Sequence, residues 1–209
     1  MNPIYSLGHS NLPIARFIDL LRDCEIEAVA DVRSSPFSGR SPHFNQPDLK
    51  AALKQAGMHY VFLGKELGGR PRDTRLLTAG VADYEKMAVT ANYRQGIRRL
   101  VEGAKAYRIA LVCSERDPLD CHRCLLVGRS MCESGYAVHH IRHDGSLTTQ
   151  SELAETLLSK CQDNNRDMFI RDCDLATAYR KRSEQVAYRE KRRETNDKDL
   201  YDRFYENFG

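Results

Sequence analysis

The sequence predicts an α/β fold: a mostly parallel sheet with helices on both faces, in a three-layer, Rossmann-like arrangement, followed by a charged helical C-terminal extension. Two observations carry the layered part. Short apolar runs alternate with amphipathic stretches through the first 150 or so of the 209 residues, and strands separated by helices pair in parallel through right-handed crossovers. At 41% apolar residues a chain of this length can bury a core without disulfides or metal. The third observation sets the boundary. Beyond residue 161 the chain carries eleven basic and eleven acidic residues and few apolar ones, so the net charge of +3 resides in residues 1–161. This divides the chain into an α/β domain, 1–161, and a charged, helical appendage, 162–209.

The elements follow in order. Residues 4–10 (IYSLGHS) read as a strand and a Gly-containing turn. In residues 12–26, Phe17, Leu20, Leu21 and Cys24 recur at helical spacing, with Asn11 as N-cap and Pro13 near the first turn. Residues 27–33 (EAVADVR) form a second strand, and two prolines, Gly39 and four serines mark the following loop as irregular. Residues 47–57 give a helix with a Gly stop, 59–64 a third strand, and 65–75 a basic Gly-rich loop. Residues 81–105 favour helix, with Tyr84, Met87, Ile97, Leu100 and Val101 as the buried set. A strand at 107–113, a helix from Cys124 to a Gly135 stop and a strand at 137–141 complete the alternation. In the appendage, Tyr201, Phe204, Tyr205 and Phe208 form the one apolar stripe, read as a clamp onto the domain or as a dimer arm.

Composition excludes several classes. No basic segment followed by an apolar one opens the chain, and no run approaches the ~20 apolar residues of a membrane span. Seven irregularly spaced cysteines are unlike a secreted disulfide scaffold, so cytoplasmic, mostly reduced thiols are expected. A near-balanced charge permits nucleic-acid binding without arguing for it.

In a parallel α/β sheet, ligands bind beyond the carboxyl ends of the strands. Those ends carry Gly8-His9-Ser10, Asp31-Val32-Arg33, Gly68-Gly69-Arg70 and Cys113-Ser114-Glu115. Directly after comes the densest stretch, CSERDPLDCHRC, Cys113 to Cys124. A helix start at Asp117 or Asp120 would put Cys121, His122 and Arg123 in a first turn, where free N–H groups and the dipole favour an anion or a thiolate. The plain alternative is a capped helix start with buried thiols. Cys121 and Cys124 also form a C-x-x-C at a strand–loop–helix junction, the place of a redox pair. Zinc could draw on Cys113, Cys121, Cys124 and His9 or His122, but the spacing lacks the second half of a finger. His139 and His140 point to opposite faces of one strand. Asp31 and Arg33 share a face, as an ion pair or as part of a site. The 68–72 loop lacks a P-loop's Lys-Ser/Thr, and no G-x-G-x-x-G pattern is present.

The segments GHSN, VADVRSSPFS, HFN, YVFLGKELGG and CSERDPLDCHR, in this order, resemble the domain of unknown function 488 family, over roughly residues 4–142. The resemblance implies an α/β domain of bacterial or archaeal cytosolic type, with a loose association to DNA repair and no particular reaction. Its C-x-E-x-x-P-x-x-C-H-R signature falls on Cys113, Glu115, Pro118, Cys121, His122 and Arg123, with Asp31 and Arg33 upstream; Cys124 and the tail lie outside it.

The expected function is a hydrolase or transferase acting on a phosphate-bearing or nucleotide-type ligand. Cys121, or second to it Cys113, is the nucleophile, and Glu115 and His122 are the acid–base pair. His9, Ser10, Asp31, Arg33, Gly69, Arg70 and Arg123 are the ligand-binding set. No cofactor and no metal is assigned. The alternatives are a non-catalytic anion- or nucleic-acid-binding module that adds Arg72 and the tail, and a thiol-redox or metal-binding protein. No membrane partner is expected; self-association would run through the C-terminal arm.

Overall fold

The run Ile109–Cys113 is apolar at every position, which suits a strand covered on both faces. In the computed structural model, which describes residues 2–163 and 173–190, it lies inside the sheet. Ile109, Leu111 and Cys113 enter one core cluster, and Ala110 and Val112 enter the other on the opposite face. The alternation of side chains along a strand thus divides the core into two layers.

The elements are β1 (Ile4–Gly8), α1 (Ile14–Asp23), β2 (Ala28–Asp31), α2 (Gln46–Gln55), β3 (His59–Phe62), α3 (Gly64–Leu67), β4 (Leu77–Thr78), β5 (Val81–Ala82), α4 (Tyr84–Ala88) and α5 (Ala91–Ala106). They continue with β6 (Ile109–Cys113), a helical segment of π geometry (Arg123–Gly128) running into α6 (Arg129–Glu133), then β7 (Val138–Ile141), β8 (Leu147–Thr149), α7 (Gln150–Asp163) and α8 (Leu175–Val186). Among the described residues the main sheet has six strands in the order β3-β2-β6-β1-β7-β8. The first five are parallel, and β8 pairs antiparallel with β7. Phe17, Leu20 and Leu21 of α1 and Leu49 and Leu53 of α2 cover one face. Leu100 of α5, Leu125 and Val127 of the π segment, and Leu153 and Leu157 of α7 cover the other. The predicted three-layer α/β architecture is therefore the observed one. No described helix is long and apolar enough to cross a membrane.

Several local expectations change. Helix α1 begins at Ile14 with Pro13 in the cap position and no side-chain cap, so Asn11 does not cap it. The loop after β2 contains a short 3-10 turn at Pro42–Phe44, and the loop after β3 opens with α3. Val81 and Ala82 form a two-residue strand with Leu77 and Thr78 instead of beginning a helix. Tyr84, Met87 and Leu100 are buried as expected, whereas Ile97 and Val101 are only partly covered. The segment beyond residue 162 supplies more core than its composition suggests: α8 packs against α7 and the π segment, and Ala178, Tyr179 and Ala187 are buried. Against the expectation of mostly reduced thiols, Cys161 is disulfide-bonded to Cys173. The stripe Tyr201, Phe204, Tyr205 and Phe208 lies outside the described residues.

Candidate functional site

Register places the strand ends side by side. Gly8 of β1 lies opposite Cys113 of β6, and Asp31 of β2 opposite Val112. The β1 ladder continues one step further, His9 N–H donating to Cys113 O (2.9 Å) and Ser10 N–H to Ser114 O (2.8 Å). The chain leaving β6 must therefore turn back directly above β1. It does so through a 3-10 turn at Pro118–Asp120, with Pro118 in its first position and Asp117 as cap, accepting from Leu119 N–H at 2.9 Å.

Cys121 then remains extended (φ −138°, ψ 139°), and His122 is the first residue with helical angles (φ −59°, ψ −21°). The helical start thus lies one residue later than the sequence suggested, and Cys121 occupies the cap. Its carbonyl accepts from the N–H groups of Cys124 and Leu125, and its sulfur from the N–H of Arg123 at 3.4 Å. The following turns are widened, Arg129 N–H reaching back to Cys124 O, a π arrangement that often accompanies functional sites.

Around this sulfur three side chains converge. Glu115 Oε2 lies 2.9 Å from Cys113 Sγ and 3.2 Å from Cys121 Sγ. His122 Nδ1 lies 3.8 Å from each sulfur. On the far side of the ring, His122 Nε2 is 2.9 Å from the carbonyl of Val32, which can only accept, so Nε2 carries a proton. The electrostatics follow from the packing. Burial pushes the Cys121 thiol up, but the hydrogen bond from Cys113 and the charges of Arg123 and His122 outweigh it and hold Cys121 well below an ordinary thiol. The hydrogen bond to Cys121, then burial, raises Cys113 well above its ordinary value. Burial and the charge of Cys121 raise Glu115. For His122 burial acts downward, but the charge and hydrogen bond of Cys121 prevail and raise it. These shifts favour the thiolate at Cys121 and the protonated ring at His122, and favour the proton-bearing forms of Cys113 and Glu115.

The cluster opens on a cleft of about 140 Å³. Of the residues singled out in sequence, Cys113, Glu115, Cys121, His122, Arg33, Gly69 and Arg70 line it; His9, Ser10, Asp31 and Arg123 do not. Ser34, Ser35, Tyr84, Ser114, Asp120, Val186 and Tyr188 complete the wall. Ser34 follows Arg33 at a strand end, a signal available in the sequence, whereas nothing in the charged tail marked Val186 or Tyr188. The Arg70 guanidinium stacks on the Tyr188 ring (5.6 Å), and the Arg70 N–H donates to Ser34 Oγ (2.9 Å). Gly69 is required here: a β-carbon would sit 2.8 Å from the His122 ring.

The two arginines expected to hold an anion are bound to the protein. Arg33 donates to both carboxylate oxygens of Asp31 (2.9 and 2.6 Å) and to Phe44 O (2.8 Å), and lies 3.3 Å from His9 Nε2. Tyr60 Oη also donates to Asp31, at 2.8 Å. His9 stacks on Phe44, and burial together with the Arg33 charge lowers its pKa to about 4, so it is neutral at pH 7. Arg123 is buried and donates to the carbonyls of Glu115 (2.6 Å) and Arg116 (3.0 Å), while its Nε finds no partner among the described residues. Its role in this geometry is to close the Ser114–Asp120 loop. Cys124, the other half of the C-x-x-C, faces the core, and burial pushes its thiol up to about 12.

No curated protein and no solved structure matches the chain. Residues 13–129, more than half of the chain and including every residue of the Cys113–Arg123 loop, match the family model described as Domain of unknown function DUF488, and the chain belongs to that family.

Proposed function

We propose that the chain is a thiol-dependent enzyme of the hydrolase or transferase kind, acting on a small phosphate-bearing or nucleotide-type molecule in the cleft. One observation carries this reading: the Cys121 sulfur sits at a helix start under the Arg123 N–H, within 3.8 Å of His122 Nδ1 and 3.2 Å of Glu115, and lines the cleft wall. A sulfur so placed is kept as thiolate by fixed donors. It attacks the electrophilic centre, the transferred group moves to Sγ, and the leaving group takes a proton from Glu115. Arg70, the Ser34 hydroxyl and the Gly69 backbone are the anion contacts, since Arg33 is paired with Asp31 and Arg123 does not line the cleft.

Iodoacetamide labelling mapped by mass spectrometry tests the nucleophile. In metal-free protein Cys121 reacts faster than Cys24 or the exposed Cys132. Slower labelling of Cys121 than of Cys132 would remove it as nucleophile. A thermal-shift screen of nucleotides and phosphorylated metabolites identifies the ligand by mass action. Against the alternative of a non-catalytic anion-binding module, Glu115→Gln abolishes turnover and keeps binding.

A further inference from the structure

We propose that Cys113, Cys121, His122 and Glu115 also form a binding site for a soft divalent metal ion, zinc by the chemistry of the donors. The ligand atoms of Cys113, Cys121 and His122 all lie within 4.8 Å of one another, and the three side chains are buried. Zinc–sulfur bonds of about 2.3 Å and zinc–nitrogen or zinc–oxygen bonds of about 2.0 Å, set at tetrahedral angles, put neighbouring donors about 3.5–3.8 Å apart. The two sulfur-to-nitrogen separations are 3.8 Å each. The carboxylate oxygen, at 2.9 and 3.2 Å from the sulfurs, withdraws a few tenths of an ångström to complete the set.

The surroundings fit an ion as well as the donors do. His122 donates Nε2–H to the Val32 carbonyl, which turns Nδ1 toward both sulfurs, the support metal-binding histidines use, and the ion displaces to solvent the protons held at Nδ1, Cys113 and Glu115. The Arg123 N–H bonds the Cys121 sulfur from outside the cluster. Charge closes too. Two thiolates and a carboxylate bring three negative charges to a buried place, and a dication together with the Arg123 guanidinium, which is buried without an ion-pair partner among the described residues, cancels them. Two sulfur donors select a borderline or soft ion over magnesium or calcium. Sequence spacing did not show the site because the donor that completes it is Glu115, inside the same loop, in place of Cys124 or His9.

Metal binding does not depend on the nucleophile reading. Where both hold, the ion takes the Cys121 lone pair and masks the thiolate, so zinc regulates the proposed chemistry. The test uses the full chain, reduced and stripped with a chelator, then titrated with Co²⁺ and afterwards Zn²⁺. The expected result is one Co²⁺ per chain with thiolate-to-cobalt charge-transfer absorption, displaced by Zn²⁺, lost in Cys113→Ser and Cys121→Ser and kept in Cys132→Ser. In the unmodified chain Zn²⁺ should also protect Cys113 and Cys121, but not Cys132, from iodoacetamide, with chelator reversing the protection; this reading needs no variant to fold. Absence of the charge-transfer band in folded wild-type protein, its survival in Cys121→Ser, or labelling of Cys121 unchanged by Zn²⁺ overturns the metal site. Slow labelling of Cys121 in the metal-free chain overturns the nucleophile instead, so the two failures are distinct.

Discussion

Replacing Arg123 by methionine separates the clamp on the Ser114–Asp120 loop from the chemistry above it. The side chain packs over Gly8, where a β-carbon would lie 2.9 Å from Nη1 and 1.7 Å from the Glu115 carbonyl, so glycine at that position leaves room for the clamp. Methionine has similar length and no donors, and fills irregular space well. Two carbonyls then lose a charged donor each, at about 1.5–3 kcal/mol apiece. Against this, a buried guanidinium with an unpartnered Nε is removed, which returns about 1–3 kcal/mol. The net is a destabilisation of about 3 kcal/mol, or roughly two decades in the folded-to-unfolded ratio. With a urea slope of about 2–3 kcal/mol per molar, the midpoint falls by about 1 M. Urea titration followed by circular dichroism, run in chelator so that metal does not enter, reads it directly. Arg123→Lys should fall between, since one ammonium reaches one carbonyl better than two. A midpoint shift under about 0.3 M for the methionine variant would refute the clamp as the larger effect, because the relief of the buried charge would then cancel the loss of both charged donors.

Two further outcomes follow from the packing. His9, lowered to about 4 by burial and the Arg33 charge, and His140, lowered to about 3 by burial and the Arg123 charge, are neutral when folded, while the unfolded chain protonates both near pH ~6.5. Stability is therefore complete above that pH and lost as pH falls, by about 3 kcal/mol per histidine by pH ~4; a urea midpoint flat from pH 6.5 to 5, above the carboxylate range, would contradict this. Truncation after residue 162 should leave one cooperative transition, weakened by about 3–5 kcal/mol through loss of the buried Ala178, Tyr179 and Ala187, the Gln150–Tyr179 bond and the Arg182–Leu119 bond. A molten or insoluble product would place α8 inside the folding unit.

The parallel sheet was legible because its strands are short apolar runs between Gly- and Pro-marked turns, and β6, buried on both faces, is apolar throughout. What was lost in sequence had weak or unread signals. Leu77–Thr78 and Val81–Ala82 are two residues each, too short for a period. Helix α7 did carry a signal: Thr149 and Glu152 exchange side-chain-to-backbone bonds (2.7 and 3.1 Å), a capping box visible as T-x-x-E before Leu153 and Leu157. Helix α8 hides its buried face among charges, since Ala178 and Ser183 are small and Tyr179 alone is large. In the site, the convergence of strand ends was readable from topology rules and the Asp31–Arg33 pair from their shared strand face, but the main-chain partners of Arg33 and Arg123 were not. Both donate to main-chain carbonyls, which every residue has and no motif records.

The three consecutive residues Cys121, His122 and Arg123 take up three different tasks at one bend of the backbone. At Cys121 the backbone passes from extended to helical, so successive side chains leave in different directions. The sulfur faces Cys113 and Glu115, the imidazole crosses to Val32 beyond β2, and the guanidinium turns back over Gly8 to the Glu115 and Arg116 carbonyls. Each position of the C-x-E-x-x-P-x-x-C-H-R run then has a mechanical reason. Cys113 and Cys121 hold the Glu115 carboxyl while Arg123 holds its carbonyl, so one residue is fixed at both ends. Pro118 starts the 3-10 turn that brings Cys121 back over β6, and His122 anchors the returning chain to the neighbouring strand. Such a loop is closed by its own residues before any ligand arrives, so a thiolate or a metal meets donors already in place and loses little to reorganisation on binding.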